Sequence, residues 1–282
     1  AILAQARMPG PDCGRICSFL SARAPSRAAM ATYLVTGVSS GIGLDIVKQL
    51  AARGDKVYGT CRSRASSASK EDLISAVQGD VTVIEGVDVT SDSVGEVLKK
   101  ALEGVTLDAV IHNAGSISGA SGGGEGIFAE QALEAVSMDR MRAAFEVNTL
   151  GPLRVQQAVT PFLRSPGGKV AIVSTGFASI QDTTSGGTYA YRASKAAVNM
   201  IGKCMSCDLG KDGRGISVVL VAPGFVATEF GPGKEKMEKM GAAPVDQASR
   251  GVIKCLDDLT LEGTGKFWMV RTKDGGLEEF PW

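Results

Sequence analysis

From Thr32 onward, short runs of buried-type residues alternate with longer stretches whose apolar positions recur every three or four residues. The apolar runs predict strands at 32–36, 56–60, 82–86, 109–112, 169–174, 217–221 and 266–269. The stretches between them, at 44–53, 94–103, 138–163 and 191–209, read as amphipathic helices. Strand and helix in strict alternation predict an α/β fold: a parallel sheet of about seven strands, with helices on both faces. No internal repeat and no second domain interrupts the pattern, so residues 30–282 are expected to form one domain. Residues 1–29 differ. Arg7, Arg15, Arg23 and Arg27 face only Asp12 among Ala, Ser and Pro, a composition that suits an organelle transit segment, a translated upstream stretch or a fragment.

Composition narrows the function classes. The 282 residues carry 30 Lys plus Arg against 30 Asp plus Glu, so no net charge draws the chain to nucleic acid or an acidic membrane surface. No apolar run approaches the roughly 18 residues a membrane span needs. Six cysteines over this length are too sparse for a disulfide framework, which points to a reducing compartment: the cytoplasm, or a plastid or mitochondrion if residues 1–29 are a transit segment. Cys204 and Cys207 sit three apart on a predicted helix, a core spacing, and no metal site is expected. The informative excess is glycine, with 36 residues. A Gly/Ser-rich run at 115–126 and the segment 230–243, which includes a charged helix at Lys234 to Lys239, are expected to flank and gate a pocket.

One glycine cluster has a chemical reading. Thr36-Gly37-Val38-Ser39-Ser40-Gly41-Ile42-Gly43 joins the first strand to the first helix. Glycines there let backbone approach a pyrophosphate, and the helix N-terminus offers free N–H groups and a positive dipole. An acid that would hold a ribose 2′-hydroxyl is missing after the second strand, where Cys61-Arg62-Ser63-Arg64 stands instead. A guanidinium grips a 2′-phosphate, so the expected cofactor is NADPH (NADP+), with Arg62 as the gripping residue.

A second motif supplies acid–base chemistry. Tyr191 and Lys195 stand at i and i+4, on one face of a helix. An ammonium about 4 Å from a phenol, at an effective dielectric near 20, is worth about 4 kcal/mol, or roughly three pKa units. The expectation is therefore a phenol lowered toward neutrality. Upstream, Ser174 and Thr175 bring hydroxyls to the carboxyl edge of the sheet, where ligands bind in such folds. His112, the only histidine, ends a central strand and is read as structural.

Taken together, these motifs resemble the short-chain dehydrogenase/reductase family, from about Met30 to Trp282. They fall in family order: the glycine turn, Asp88-Val89, Asn113-Ala114-Gly115, Asn148, the Ser174-Thr175 strand end, Tyr191 with Lys195, and Pro223-Gly224-Phe225-Val226-Ala227-Thr228. The Tyr191 to Met200 stretch and the ending through Phe280-Pro281-Trp282 are similar to the C-factor and sniffer-type carbonyl reductases. The resemblance implies a Rossmann-type doubly wound parallel sheet and, together with Arg62 read above, a cofactor site built from Gly37, Ser39, Ser40, Gly41, Ile42, Gly43, Asp88, Val89, Asn113, Ala114, Gly115, Tyr191, Lys195, Pro223, Gly224, Val226 and Thr228. It implies a catalytic set of Asn148, Thr175, Tyr191 and Lys195, in which Tyr191 protonates a carbonyl oxygen and Asn148 holds a water linking Lys195 to solvent. Thr175 takes the place where the family most often has serine, and His112 the place of a usual asparagine. The expected reaction is reduction of an aldehyde or ketone, a small-molecule carbonyl substrate. Alternatives are a 3-oxoacyl thioester reductase and a non-catalytic NADPH-binding redox sensor. Monomer, homodimer and homotetramer all remain open.

Overall fold

Five of the eight strands are almost wholly buried, because helices cover both faces of the sheet and leave neither side of a strand to water. The computed structural model describes residues 30–62, 77–117, 132–210 and 214–282. The strands are β1 (Thr32–Thr36), β2 (Lys56–Thr60), β3 (Val81–Ile84), β4 (Ala109–His112), β5 (Lys169–Val173), β6 (Ser217–Ala222), β7 (Lys266–Val270) and β8 (Leu277–Glu279). They pair in the order β3-β2-β1-β4-β5-β6-β7-β8, all parallel except the last pair. This is the expected doubly wound sheet with one strand more. Leu277–Glu279 escapes periodicity because it is a three-residue edge strand with two exposed carboxylates, and pairing with β7 alone makes it a strand.

The two-residue period of the strands sorts their side chains into two cores. Leu34, Val110, Ile172 and Leu220 face one side, while their neighbours Val35, Ile111, Ala171 and Val219 face the other. The first side is covered by α2 (Val94–Ala101), α4 (Gly151–Val159) and α5 (Tyr189–Gly210), and the second by α1 (Gly41–Arg53) and α7 (Val245–Asp257). Helix α7 was not among the expected helices. Gly251 weakens its local signal, yet a Cβ there would lie 2.5 Å from Val270 Cγ1, so tertiary packing requires the glycine.

The single helix expected over 138–163 is broken. Helix α3 (Met138–Phe145) runs into one wide π-helical turn, Glu146–Leu150, before α4 begins. Such turns bulge a helix and re-aim its side chains, and this one carries Asn148. The expected charged helix is α6 (Lys234–Lys239), held by Lys239–Glu235 and Lys234–Glu238 pairs with Met237 turned inward. A further correction concerns the cysteines: Cys204 and Cys207 are exposed on α5, and Cys61 and Cys255 are the buried pair, because the core-facing stripe of α5 runs through Val198, Met205 and Leu209 instead. No helix among the described residues is long and apolar enough to cross a membrane. Residues 1–29, Arg64, Cys13 and Cys17, and most of the 115–126 run lie outside the described residues.

Candidate active site

At the carboxyl edge of the strands lies a cleft of about 1540 Å³ that reaches from the glycine turn to α6. Its first wall is the β1–α1 turn. Gly37 and Gly41 have φ of +70° and +59°, and a Cβ on Gly37 would lie 2.8 Å from Ala114 Cα. At Gly43 a Cβ would overlap both Asn113 Nδ2 and the Gly37 carbonyl oxygen. The turn is tied from outside: Thr36 Oγ1 accepts from the backbone N–H of Asn113 and of Ala114, each at 3.0 Å, while Asn113 Nδ2 donates to the carbonyls of Thr36 and Gly37. Asn113 and Ala114 thus shape the turn as well as lining the cleft. Thr36, which sequence reading left as mere context, is the residue that joins the two loops.

Helix α1 opens without a capping side chain and without an acid in its first turn. Its first N–H groups therefore have no partner inside the helix, and Ser39, Ser40, Gly41 and Ile42 present this end to the cleft. These features fit an anionic pyrophosphate: a glycine cradle closed to any side chain, beside a positive helix end. Beyond it, Arg62 and Asp88 line the cleft together. Burial tends to raise the Asp88 carboxyl, but hydrogen bonds from Thr90 and the nearby Arg62 charge outweigh it and hold the group below its usual range. Val89 is buried against Gly151, where a Cβ would meet its Cγ2 at 2.9 Å. Across the cleft, Pro223 and Gly224 turn the chain after β6, with Gly224 at φ +83° and the Phe225 N–H donating to Thr272 Oγ1 at 3.0 Å. Val226 and Thr228 are buried, and Thr228 stands over Gly41.

The expected catalytic residues meet in the middle. Lys195 is only 4% exposed, and its Nζ donates to the Val173 carbonyl oxygen at 2.9 Å. Asn148 is fully buried on the π-helical turn; its Nδ2 donates to the Ser116 carbonyl oxygen at 2.7 Å and its Oδ1 accepts from the Ser116 N–H at 2.8 Å. That clamp keeps the backbone of Gly115 beside Lys195, where a Cβ would lie 3.3 Å from Asn148 Oδ1 and 3.5 Å from Lys195 Nζ. The two hydroxyls of the β5 end part company. Both residues line the cleft, but Ser174 is buried and donates its hydroxyl to Asn199 Oδ1 at 2.6 Å, whereas Thr175 hydrogen-bonds Tyr191. The Tyr191 ring rests against Phe230, with centroids 6.2 Å apart in an edge-to-face arrangement.

The electrostatics depart from expectation. Tyr191 is not lowered: burial pushes its phenol up to about 12, with the Thr175 hydrogen bond pulling only partly the other way. Burial likewise brings the Lys195 ammonium down to about 8. In the protein alone desolvation outweighs the attraction inferred from helix spacing, because the ammonium is directed to the Val173 carbonyl. His112 is buried in the core, its Nε2 hydrogen-bonded to Gln156 Oε1 at 2.9 Å, and burial holds it down at about 4. It does not line the cleft. Residues that sequence reading did not assign, among them Arg192, Phe177 and Phe280, do line it, and no spacing signal marks them because they meet only through the fold.

Comparisons with known proteins bear on the family and the fold. A family model described as short chain dehydrogenase matches residues 31–239. The chain is 40% identical over 240 residues to the 1-hydroxy-2-glutathionyl-2-methyl-3-butene dehydrogenase of Rhodococcus sp. (strain AD45), covering 84% of this chain and 96% of that protein. It is 38% identical over 152 residues to the C-signal protein of Myxococcus xanthus, covering 54% of this chain and 84% of the relative. Among solved structures, the NADPH-bound carbonyl reductase from chicken fatty liver superposes with a TM-score of 0.72 at 25% identity, over 90% of this chain and 99% of the other. With its strand order, glycine cradle and Tyr191–Lys195 helix in place, this chain belongs to the short-chain dehydrogenase/reductase family.

Proposed function

We propose that this protein is an NADPH-dependent reductase of aldehydes or ketones, with residues 30–282 as its catalytic domain. The observation that carries the reading is the convergence of Thr175, Tyr191 and Lys195 on one cleft with the glycine cradle at its far end. Gly37, Ser39, Ser40, Gly41, Ile42 and Gly43 would hold the pyrophosphate, and Arg62 a 2′-phosphate. Asp88, Val89, Asn113, Ala114 and Gly115 would line the adenosine side, and Pro223, Gly224, Val226 and Thr228 the nicotinamide side. When bound there, the cofactor supplies the hydride delivered to the carbonyl carbon.

The chain's own residues manage the oxygen. Thr175 donates a hydrogen bond that positions the carbonyl beside the Tyr191 hydroxyl, and Tyr191 gives its proton to the oxygen as negative charge develops there. A phenol held near 12 carries at neutral pH the proton that this step needs. Lys195, tied to the Val173 carbonyl oxygen, would supply a contact for the nicotinamide ribose.

The test is purified protein with NADPH or NADH and a panel of aldehydes, ketones and acetoacetyl thioesters, followed at the nicotinamide absorbance. Consumption of NADPH with simple carbonyls, lost in Tyr191→Phe while cofactor affinity is kept, is the expected result. Turnover confined to acetoacetyl thioesters would move the substrate class. Cofactor binding with no turnover on any carbonyl would instead favour a sensor. Arg62→Asp is expected to erode the preference for NADPH over NADH, and an unchanged preference would remove Arg62 from the cofactor site.

A further inference from the structure

Arg192 follows the catalytic tyrosine directly, and its guanidinium lines the same cleft. The side chain is fixed in place. Its plane lies over the Phe177 ring, 4.3 Å from the centroid, and two of its donors are taken by hydroxyls: Nε by Thr188 Oγ1 at 3.1 Å and Nη2 by Ser185 Oγ at 3.0 Å. All of these partners are neutral. Among the described residues no carboxylate reaches it within ion-pair distance, although Asp182 and Glu229 line the cleft too.

Other arginines of the described chain are treated differently. Arg53 pairs with Asp55 and Asp257, Arg154 with Asp92 and Glu146, and Arg271 with Asp274. A guanidinium stacked on an aromatic ring, oriented by hydroxyls and with no partner for its Nη1 donors among the described residues, is preorganised for a planar anion. Phe177 belongs to the short turn that begins immediately after Thr175, so the cation stands on the same side of the cleft as the hydroxyl that positions the carbonyl. The cleft also carries apolar side chains, with Phe225, Phe230 and Met240 exposed in its lining.

We infer that Arg192 is a specificity-determining residue that binds a carboxylate on the substrate, so that the preferred substrates are aldehydes or ketones bearing a carboxylate group on an apolar body. This rests on the reductase reading given above. Its recognition element, however, is a binding site that can be tested without turnover.

Two measurements separate the ideas. In the first, kcat/KM is compared for each formylbenzoic acid isomer and its methyl ester, with NADPH. At least one isomer should be preferred over its ester by about tenfold or more at low salt, the preference should shrink as ionic strength rises, and Arg192→Gln should reduce the acid-to-ester ratio by about tenfold, mainly through KM. Arg192→Lys should give an intermediate ratio, because it keeps the charge but loses the planar fork. A wild-type ratio near or below one for every isomer, or a ratio in Arg192→Gln within about twofold of wild type, overturns the inference. In the second, calorimetric titration compares benzoate with benzamide on wild type and on Arg192→Gln. Selective binding of benzoate that the substitution removes supports the anion site even if no carbonyl is ever reduced, an outcome that would sink the reductase reading alone. Equal binding of the two compounds, or no binding of either, overturns the anion site whatever the enzyme turns over.

Discussion

Lys195 Nζ donates to the carbonyl oxygen of Val173 across 2.9 Å, tying α5 to β5, the strand whose end carries Thr175. The contact fixes an ammonium in a buried place where no counter-charge among the described residues offsets desolvation, and the group is held at about 8 instead of its ordinary 10.5. Functional sites often retain such costs.

The sign of that cost is definite. A folded pKa of about 8 below an unfolded value of 10.5 means that stability present above pH 10.5 is lost as pH falls toward 8, and stays lost at neutral pH. Lys195→Met is therefore expected to stabilise the cofactor-free protein at pH 7 by about 2 kcal/mol while lowering turnover by at least about a hundredfold. Chemical denaturation of both proteins at pH 7 and pH 10 measures it. A variant less stable than wild type at pH 7 would show that the ammonium gains more from Val173 than burial costs it.

Adjacent hydroxyls at the end of β5 should give opposite phenotypes. Thr175→Ala, which removes the hydroxyl facing Tyr191, should reduce kcat by about ten- to a thousandfold with little change in stability, and Thr175→Ser should restore most of the rate. Ser174→Ala, which strips Asn199 Oδ1 of its donor where Nδ2 already lacks a partner among the described residues, should cost about 1–3 kcal/mol of stability. Reversed results in paired kinetics and urea melts would exchange their assignments.

Acid sensitivity should trace to His112. Its pKa of about 4 in the fold lies below 6.5, so it contributes stability that is complete above pH 6.5 and disappears as pH falls to 4, roughly 3 kcal/mol in all. In His112→Asn that part of the pH dependence between 6.5 and 4 should vanish, and turnover should persist because the ring does not line the cleft. Loss of most activity in a folded variant would overturn the structural reading of His112.

Gly43→Ala tests the cradle. The new methyl would overlap Asn113 Nδ2 and the Gly37 carbonyl oxygen, both parts of the bond network that shapes the turn. Cofactor affinity is expected to fall by at least about tenfold, with a stability loss of about 1–3 kcal/mol. Titration of the cofactor against nicotinamide fluorescence measures the first, and unchanged affinity would mean that the turn relaxes without cost.

What the sequence determined by itself is what local periodicity and spacing encode. Seven strand positions, the glycine turn and the Tyr191–Lys195 spacing can be read from neighbours a few residues apart, because backbone geometry repeats over two residues in a strand and about 3.6 in a helix. The tertiary structure decided everything that depends on what lies across the cleft. Burial, not helix spacing, sets the protonation of Tyr191 and Lys195. Asn199 takes the Ser174 hydroxyl and leaves that of Thr175 to Tyr191, a bulged turn aims Asn148 at Ser116, and Phe177 orients Arg192. Those outcomes are legible only in the folded chain, since desolvation and hydrogen bonding act between residues that sequence separates by tens of positions.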